Sequence, residues 1–414
     1  TCALSDLTAV TAMAAMAAMP SVVGMPSVTG VFLARLLGTD GAVQSDRWVS
    51  SGGQWFHLSA DGTMSTGWTE VGNAWYFLNA DGVMQSNTWI DSGGRWFYLG
   101  DSGAMLTSTW LSQGDSWYYL GADGSMATGW TQVEGAWYYL GGDGAMTTGW
   151  TRVGGTWYYF GTDGAAATGT QKVKNALYSF DDKGAMKANT WVKDKDTWYY
   201  ANPDGDLAAS TWKLVNGSWY HFNADSKMET GLVTVNGTRY YLDPATGAMA
   251  DGRWVKDDST WYYANPDGAI ATGWKQVDGA WYHFDSKGAM TPKGWVASGG
   301  KWYYVEDSGA MAASKWLDVD GHWYYVGSDG SVATGWKQVD GAWYYLQPNG
   351  AMTTGWVMDG GKWYYLNANG SMATGWKQVD AAWYYLQPNG AMTTGWATID
   401  GGRFYFHNSG ALIR

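Results

Sequence analysis

Hydrophobic and polar positions recur along most of this chain in a unit of 20 to 22 residues that begins at Trp48. The clearest copy opens with Gly335-Trp336 and continues as Lys-Gln-Val-Asp-Gly-Ala-Trp-Tyr-Tyr-Leu, followed by Gln-Pro-Asn-Gly-Ala-Met-Thr-Thr. Each unit contains two short strand-like runs separated by a pair such as Asp340-Gly341. Asp-Gly and Asn-Gly pairs accept the positive φ angles of a type I′ turn, so each unit predicts one β-hairpin with a two-residue loop.

The turn also predicts which residues lie opposite one another. With Asp340-Gly341 as the loop, Trp336 lies opposite Tyr345, and directly opposed residues share a face of the hairpin. A slip of one residue would exchange the two faces, so the turn determines where the aromatic rings lie. One face then carries Trp336, Trp343 and Tyr345, and the other carries Val339, Tyr344 and Leu346.

Eighteen such units follow one another. Their first aromatic positions fall at 48, 68, 89, 110, 130, 150, 170, 191, 212, 232, 254, 274, 295, 316, 336, 356, 376 and 396. Fifteen units keep two Trp residues seven apart, so all 31 Trp residues occupy two positions of the repeat. A lone hairpin cannot bury both of its faces, whereas stacked neighbours can. We therefore predict an all-β fold, an elongated β-solenoid of about eighteen stacked hairpins.

The repeat domain is expected over residues 34–414, with a half unit at Leu36–Val43 as an atypical first copy. Residues 1–33 do not fit the repeat. Leu7–Val31 is rich in Ala, Met and Val and carries no charge, which predicts a cap, a signal remnant or a disordered segment. Prolines at 20 and 26 count against a membrane span. Cys2 is the only cysteine, so no internal disulfide can form.

The charge balance limits the class of partner. The chain has 37 acidic against 25 basic residues, a formal net charge of -12, and no basic run. Nucleic-acid-binding proteins place their aromatic platforms in basic grooves, so we expect no nucleic-acid partner. An acidic surface suits neutral glycans or cationic groups, although the charge also serves solubility.

The sequence shows no catalytic chemistry. The five His residues are scattered without metal-ligand spacing, and the acids recur mostly in Asp-Gly turns, where their repetition explains them. No phosphate loop, nucleophile elbow or Cys/His pair occurs. We therefore expect no catalytic residues, no metal and no cofactor, in a chain that is a binder alone or the binding part of something longer.

The pattern of Gly-Trp, a Trp-Tyr-Tyr seven residues on, and Asp/Asn-Gly-Ala-Met resembles the choline-binding (cell-wall-binding) repeat family over about residues 36 to 414. The resemblance implies hairpins wound into a left-handed superhelix, with choline of teichoic acids lying between successive repeats. It further implies a cage of two Trp from one repeat and the last Tyr of the next Trp-Tyr-Tyr, often with a Met nearby. Closely similar repeats bind α-glucan.

Carried over position by position, the resemblance implies eleven complete triads. These are Trp68, Trp75 and Tyr98; Trp89, Trp96 and Tyr119; Trp110, Trp117 and Tyr139; Trp130, Trp137 and Tyr159; Trp212, Trp219 and Tyr241; Trp274, Trp281 and Tyr304; Trp295, Trp302 and Tyr325; Trp316, Trp323 and Tyr345; Trp336, Trp343 and Tyr365; Trp356, Trp363 and Tyr385; and Trp376, Trp383 and Tyr405.

Several units depart from this pattern. The seventh has Thr170, Leu177 and Ser179 in place of all three aromatics, which should silence both junctions it shares. The tenth has Leu232 and Arg239 in place of its Trp pair, and a cation there would repel choline. Three further junctions are doubtful because a residue other than Tyr stands at the last position, namely Phe77, His221 and His283. Two functional blocks separated by a mostly structural middle are expected.

Three functions follow from these residues. The first is a non-catalytic module, secreted and bound non-covalently to the bacterial surface, that captures choline of teichoic acids by cation–π contacts. The second is an α-glucan-binding module, because carbohydrate also stacks on aromatic rings. The third is a structural or adhesive repeat protein, which unpaired terminal hairpins could assemble end to end. For the aromatic residues themselves, packing alone is the alternative to binding.

Overall fold

The structure, a computed structural model, describes residues 42–413. Every regular element in that range is a β-strand, and the 36 strands form eighteen antiparallel hairpins. The range accordingly contains no helix that could cross a membrane. This confirms the predicted all-β fold of eighteen hairpins. The expectations for residues 1–33, for Cys2 and for most of the half unit at Leu36–Val43 fall outside the described residues.

Contacts divide the chain into two units, the first holding hairpins one to eight and the second hairpins nine to eighteen. The strands of the first unit are β1 Arg47–Ser51, β2 Gln54–Leu58, β3 Gly67–Val71, β4 Ala74–Leu78, β5 Thr88–Ser92, β6 Arg95–Leu99, β7 Thr109–Gln113, β8 Ser116–Leu120, β9 Gly129–Val133, β10 Ala136–Leu140, β11 Gly149–Val153, β12 Thr156–Phe160, β13 Gly169–Val173, β14 Ala176–Phe180, β15 Thr190–Asp194 and β16 Thr197–Ala201.

The second unit has the same alternation of five-residue strands and two-residue loops. Its strands are β17 Thr211–Val215, β18 Ser218–Phe222, β19 Gly231–Val235, β20 Thr238–Leu242, β21 Arg253–Asp257, β22 Thr260–Ala264, β23 Gly273–Val277, β24 Ala280–Phe284, β25 Gly294–Ser298, β26 Lys301–Val305, β27 Lys315–Val319, β28 His322–Val326, β29 Gly335–Val339, β30 Ala342–Leu346, β31 Gly355–Asp359, β32 Lys362–Leu366, β33 Gly375–Val379, β34 Ala382–Leu386, β35 Gly395–Ile399 and β36 Gly402–Phe406.

The hairpin loops have the geometry that their sequence predicts. Asp340 has φ 48° and Gly341 φ 82°, so both loop residues of the fifteenth hairpin lie in the left-handed region of a type I′ turn. The register that follows pairs Trp336 with Tyr345, as expected from the sequence. Both Trp side chains and the last Tyr therefore share one face, while Tyr344 lies on the other.

Within each unit, the linker after a hairpin joins that hairpin to the one before it. Met352, which follows the fifteenth hairpin, forms a β-bridge with Leu346 of the same unit. Its backbone N–H donates a hydrogen bond of 2.7 Å to the Trp323 carbonyl of the fourteenth hairpin. The equivalent bond from Leu207 to Leu177 measures 2.8 Å, so neither a Met nor a Trp is needed for it. Repeated along the chain, these links build a β-solenoid within each unit.

Most of the fully buried core comes from one position of the repeat, the last residue of each second strand. All eighteen of these apolar side chains are 2% exposed or less: Leu58, Leu78, Leu99, Leu120, Leu140, Phe160, Phe180, Ala201, Phe222, Leu242, Ala264, Phe284, Val305, Val326, Leu346, Leu366, Leu386 and Phe406. Complete burial of a Leu or Phe side chain stabilises the fold by about 1.5–3 kcal/mol. Most second Trp side chains lie outside this core, since thirteen of them are 39–55% exposed.

Candidate functional site

The second Trp of the repeat is an exposed large apolar side chain in most hairpins. Thirteen of the fifteen such residues are 39–55% exposed, and Trp323 is 46% exposed. Its strand carries the core residue on the opposite face, so this indole points away from the core by alternation. The first Trp of the same hairpin, Trp316, is half-buried beside it. A recurrent exposed indole is costly to keep in water and marks a binding surface.

A ring from the next hairpin faces the first Trp. The ring centroid of Tyr344 lies 4.8 Å from that of Trp316, at an interplanar angle of 65°. Fourteen such pairs have centroids 4.7–5.4 Å apart: Trp48–Tyr76, Trp68–Phe97, Trp89–Tyr118, Trp110–Tyr138, Trp130–Tyr158, Trp150–Tyr178, Trp212–Tyr240, Trp254–Tyr282, Trp274–Tyr303, Trp295–Tyr324, Trp316–Tyr344, Trp336–Tyr364, Trp356–Tyr384 and Trp376–Phe404.

This ring is the middle aromatic of Trp-Tyr-Tyr, whereas the last Tyr was expected. The Trp face of one hairpin meets the opposite face of the next, and alternation places only the middle ring on that opposite face. Tyr344 therefore lines a pocket, although the sequence assigned it to packing. The last Tyr instead packs edge-on against the first Trp of its own hairpin, as Tyr345 does on Trp336 at 5.1 Å.

The correction applies to the third member of every expected triad. These residues are Tyr98, Tyr119, Tyr139, Tyr159, Tyr241, Tyr304, Tyr325, Tyr345, Tyr365, Tyr385 and Tyr405. Three of them, Tyr98, Tyr241 and Tyr304, are only 7–8% exposed, as expected of packing residues. The two Trp rings of one triad have centroids 6.2–6.5 Å apart in Trp130–Trp137, Trp356–Trp363 and Trp376–Trp383.

A methionine closes one side of the pocket. The backbone of Met352 is held by its hydrogen bond to the Trp323 carbonyl. The Met352 side chain contacts the linker turn that follows the sixteenth hairpin. A Cβ at Gly370 in that turn would collide with the Met352 side chain, and Gly370 also has φ 82°. Glycine is therefore required there both for the turn and for the methionine.

Three consecutive hairpins contribute to one pocket. The cavity beside Trp316 has a volume of about 350 Å³ and is lined by Trp316, Trp323, Tyr344, Met352, Ala368 and Asn369. The cavity beside Trp356, of about 310 Å³, is lined by Trp356, Trp363, Tyr384, Met392 and Ser409. The residue from the linker turn after the third hairpin was not predicted from the sequence. The pattern within one unit does not show which later turn lies over its Trp pair.

The junction before the seventh hairpin is complete, contrary to expectation. Its cavity of about 320 Å³ is lined by Trp150, Trp157, Tyr178, Met186, Pro203 and Asp204. Thr170 and Ser179 do not interrupt it, because the seventh hairpin supplies only its middle Tyr to this pocket. Phe77, His221 and His283 likewise stand at the last position, which does not line the cavities. The expected division into two blocks with a structural middle is therefore wrong in its geometry.

Only two hairpins that precede another lack the Trp pair, the seventh and the tenth. In the tenth, Arg239 replaces the second Trp and its guanidinium carbon lies 5.8 Å from the ring centroid of Tyr262. Arg239 also donates a hydrogen bond to the Lys287 carbonyl. The chain's own cation thus lies over the ring that would otherwise face a ligand.

Burial favours the neutral form of one pocket phenol and of two imidazoles at the last ring position. Burial raises the pKa of the Tyr138 phenol, and the Asp163 and Glu134 carboxylates raise it further. Burial lowers the pKa of His57, partly offset by Asp46, and it also lowers that of His283. Within residues 42–413 no group of His, Cys, Asp and Glu side chains is placed to hold a metal ion. The pocket is suited to binding by ring faces.

Comparison with known proteins gives the family. The choline-binding repeat family matches residues 65–110, 112–148, 147–191, 209–254, 271–316, 333–374 and 373–414. A cell wall binding repeat family matches residues 46–64, 189–207, 252–270 and 314–332. No curated protein matches the chain significantly.

Three solved structures of similar sequence come from Streptococcus pneumoniae. Choline binding protein F is 32% identical over 69% of this chain and 98% of its own, with a TM-score of 0.39. The choline-binding domain of CbpL is 31% identical over 52% and 99%, with a TM-score of 0.31. The modular autolysin LytC is 31% identical over 54% of this chain and 52% of its own, with a TM-score of 0.41. The chain thus spans about half the length of LytC.

The family matches extend over most of the sequence, and their repeat positions coincide with the hairpins and the aromatic pockets described above. This chain belongs to the choline-binding repeat family.

Proposed function

We propose that this chain is a non-catalytic module that is secreted and holds itself on the bacterial surface by capturing choline groups of teichoic acids. The observation that carries the proposal is the repeated pocket of two indoles, a phenol or phenyl ring and, at most junctions, a thioether. Trp316, Trp323, Tyr344 and Met352 form its clearest copy. Quaternary ammonium groups are recognised by such aromatic cages.

The chemistry of the pocket matches a trimethylammonium group. Its positive charge is spread over methyl groups that pack against ring faces and against a methionine, without needing a hydrogen-bond donor. Each cation–π contact contributes about 0.5–2 kcal/mol, depending on how far it is removed from water. Since Trp323 is 46% exposed, one pocket supports weak binding only.

Repetition converts weak pockets into firm attachment. A polymer with many choline groups that occupies one pocket presents the next group at a high effective concentration. Overall avidity then exceeds single-site affinity by about 10²–10⁴ where the geometry allows simultaneous contact. Detachment by free choline, which competes at each pocket separately, follows from the same argument.

A choline titration followed by Trp fluorescence tests the proposal, because all pocket indoles report together. The matched control is 3,3-dimethylbutan-1-ol, which has the shape of choline without its charge. We expect choline to change the emission at millimolar concentration and the neutral alcohol to do so far less. No change with choline would overturn the proposal.

A second candidate, binding of α-glucan, is favoured by the polar turn residues Asn369 and Ser409 at two of the pockets. A sugar ring would stack on the exposed indole, while the amide or hydroxyl would bond to its hydroxyl groups. Retention on dextran that excess choline does not reverse would support this candidate. Passage through dextran without delay would remove it.

A further inference from the structure

The residue that precedes the linker glycine differs from pocket to pocket. It is supplied by the third hairpin of each site and lines the cavity beside the second Trp. At the Trp150 pocket it is Asp204, at the Trp316 pocket Asn369, and at the Trp356 pocket Ser409. We call it the rim residue. Each of these three pockets also has two Trp, one Tyr and one Met in its walls, and the residue before the rim residue, Pro203 or Ala368, lines two of them.

A second acidic rim residue, Asp163, influences the electrostatics of its pocket. Asp163 has the rim position for the pocket that contains Trp110, Trp117 and Tyr138. Its carboxylate contributes to the raised pKa of the Tyr138 phenol, so its negative charge reaches the ring that faces Trp110. No basic side chain within residues 42–413 forms an ion pair with Asp163 or Asp204. Both carboxylates remain available to a cation from solution.

Two other acidic rim residues are already paired with the chain's own cations. Asp329, at the rim position for the Trp274 pocket, lies 3.0 Å from the Lys301 ammonium. Asp123, at the rim position for the Trp68 pocket, forms an ion pair with Arg95, whose guanidinium carbon is also 5.6 Å from the centre of the Phe97 ring. Both basic residues stand at the same repeat position, directly before the second Trp of the middle hairpin.

We propose that the rim residue grades the pockets by their affinity for a cationic ligand, which rests on the proposed function. Pockets with an unpaired Asp bind a trimethylammonium group most tightly. Pockets with Asn or Ser bind it less tightly, and pockets whose Asp is paired with Arg95 or Lys301 lose the advantage of the charge. The rim residue is a specificity determinant contributed by a hairpin that supplies neither of the two Trp residues of that pocket.

The expected difference is modest, because the rim is exposed to water. Ion pairs between exposed groups correspond to about a two- to fivefold change in a binding constant. The difference should shrink as salt rises, since exposed charges are screened. Binding of a neutral ligand should not follow the rim charge at all.

Site-resolved occupancy tests the proposal on the full chain. Crystals soaked in graded concentrations of arsenocholine, whose arsenic gives an anomalous signal, report each pocket separately. We expect the Trp150 pocket to half-fill at a concentration about two- to fivefold below that of the Trp316 pocket. Asp204→Asn should remove this advantage, Asn369→Asp should confer it on the Trp316 pocket, and Lys301→Met should confer it on the Trp274 pocket.

Asp196→Asn is the matched control, because it removes the same charge from an exposed turn that lines none of these pockets. It should leave the order of filling unchanged. An order that ignores Asp204→Asn and Asn369→Asp, with all pockets filling, would overturn the role of the rim and leave the proposed function standing. Failure of arsenocholine to enter any pocket would overturn both.

Discussion

The seventh hairpin (β13–β14) and the fifteenth (β29–β30) differ at every position that carries a Trp or the last Tyr in the repeat. The fifteenth has Trp336, Trp343 and Tyr345 where the seventh has Thr, Leu and Ser. Both nevertheless have the same register and a buried residue at the end of the second strand. Both also accept the same backbone hydrogen bond from the linker of the following hairpin, at 2.8 and 2.7 Å.

We call these shared features the frame: the register, the buried strand-end residue and the linker hydrogen bond. The frame forms without any Trp, so folding does not require the Trp pair. This argues against the packing-only interpretation of the aromatic residues. The seventh hairpin still supplies Tyr178 to the pocket of the sixth, so a hairpin contributes to its neighbour's site even where its own is lost.

The largest expected effect concerns the frame, and it should be alike in the two hairpins. Phe180→Ala should cost about 3–5 kcal/mol of stability and Leu346→Ala about 2–5 kcal/mol, because each leaves a cavity in the core. Hydrogen exchange measures this locally, which suits a repeat array whose unfolding need not be two-state. A loss of protection in only one of the two hairpins would contradict the idea of a common frame.

A glycine substitution should separate the frame from the pocket. Gly370→Ala and Gly184→Ala both place a Cβ at positive φ, of 82° and 84°, which costs about 1–2 kcal/mol. Only Gly370→Ala also displaces a methionine, since Ala166 stands opposite Gly184. Choline occupancy should therefore fall at the Trp316 pocket in the first variant. An equal fall at the Trp130 pocket in the second, seen in crystals soaked with ligand, would contradict this.

Exchanging a pocket residue for its counterpart in the seventh hairpin should affect binding and spare stability. Trp323→Leu places at the second Trp position the residue that the seventh hairpin has there. Choline binding at this pocket should weaken by about 0.5–2 kcal/mol, since one cation–π contact is lost. Thermal unfolding should barely change because the replaced indole is 46% exposed. A large drop in melting temperature would show that Trp323 contributes to the stability of the fold.

The reciprocal change should create a site. Thr170→Trp with Leu177→Trp supplies the missing pair opposite Tyr199, the middle ring of the eighth hairpin. Equilibrium dialysis with choline should then count one more site per chain. Tyr199 is 8% exposed and packs in a cluster against which Leu177 also lies, so the new indole must replace Leu177 there. An unchanged count would show that the eighth hairpin cannot present its ring.

The smallest effect is a pH dependence at the last ring position, which Ser179 and Tyr345 occupy in the two compared hairpins. His57 occupies it in the first hairpin, is 4% exposed, and has a pKa lowered mainly by burial. The unfolded chain therefore binds the proton more readily, and stability should fall as the pH drops below about 6.5.

His57→Phe should abolish that slope, since Phe77 holds the same position in the second hairpin. Hydrogen exchange in the first hairpin at about pH 7 and about pH 5 measures it. Choline affinity at the Trp48 pocket should not change with the substitution, because this position lies outside the cavities. A change in affinity without a change in protection would place His57 in the site.

The turn chemistry was enough to predict the hairpins, their number and their register. Asp340-Gly341 and its counterparts determine which residues oppose each other, and that is local information. The middle Tyr of the next hairpin and the rim residue do not follow from the turn chemistry, because their places in the pocket depend on how hairpins stack. Tyr344 was within reach of the sequence, since alternation places it on the face that meets the preceding Trp pair. Asn369 was not, because it lies two hairpins further along the chain.

A pocket assembled from equivalent positions of three successive hairpins has a consequence for how such arrays change in length. Excision of one whole unit by recombination brings together neighbours whose walls, linkers and turns are interchangeable, so a new composite pocket forms at the seam. Duplication adds a pocket by the same rule. The number of hairpins can therefore change by single units, and each change removes or adds one pocket. The avidity for a polymeric ligand then varies in small steps with the number of repeats that the gene encodes.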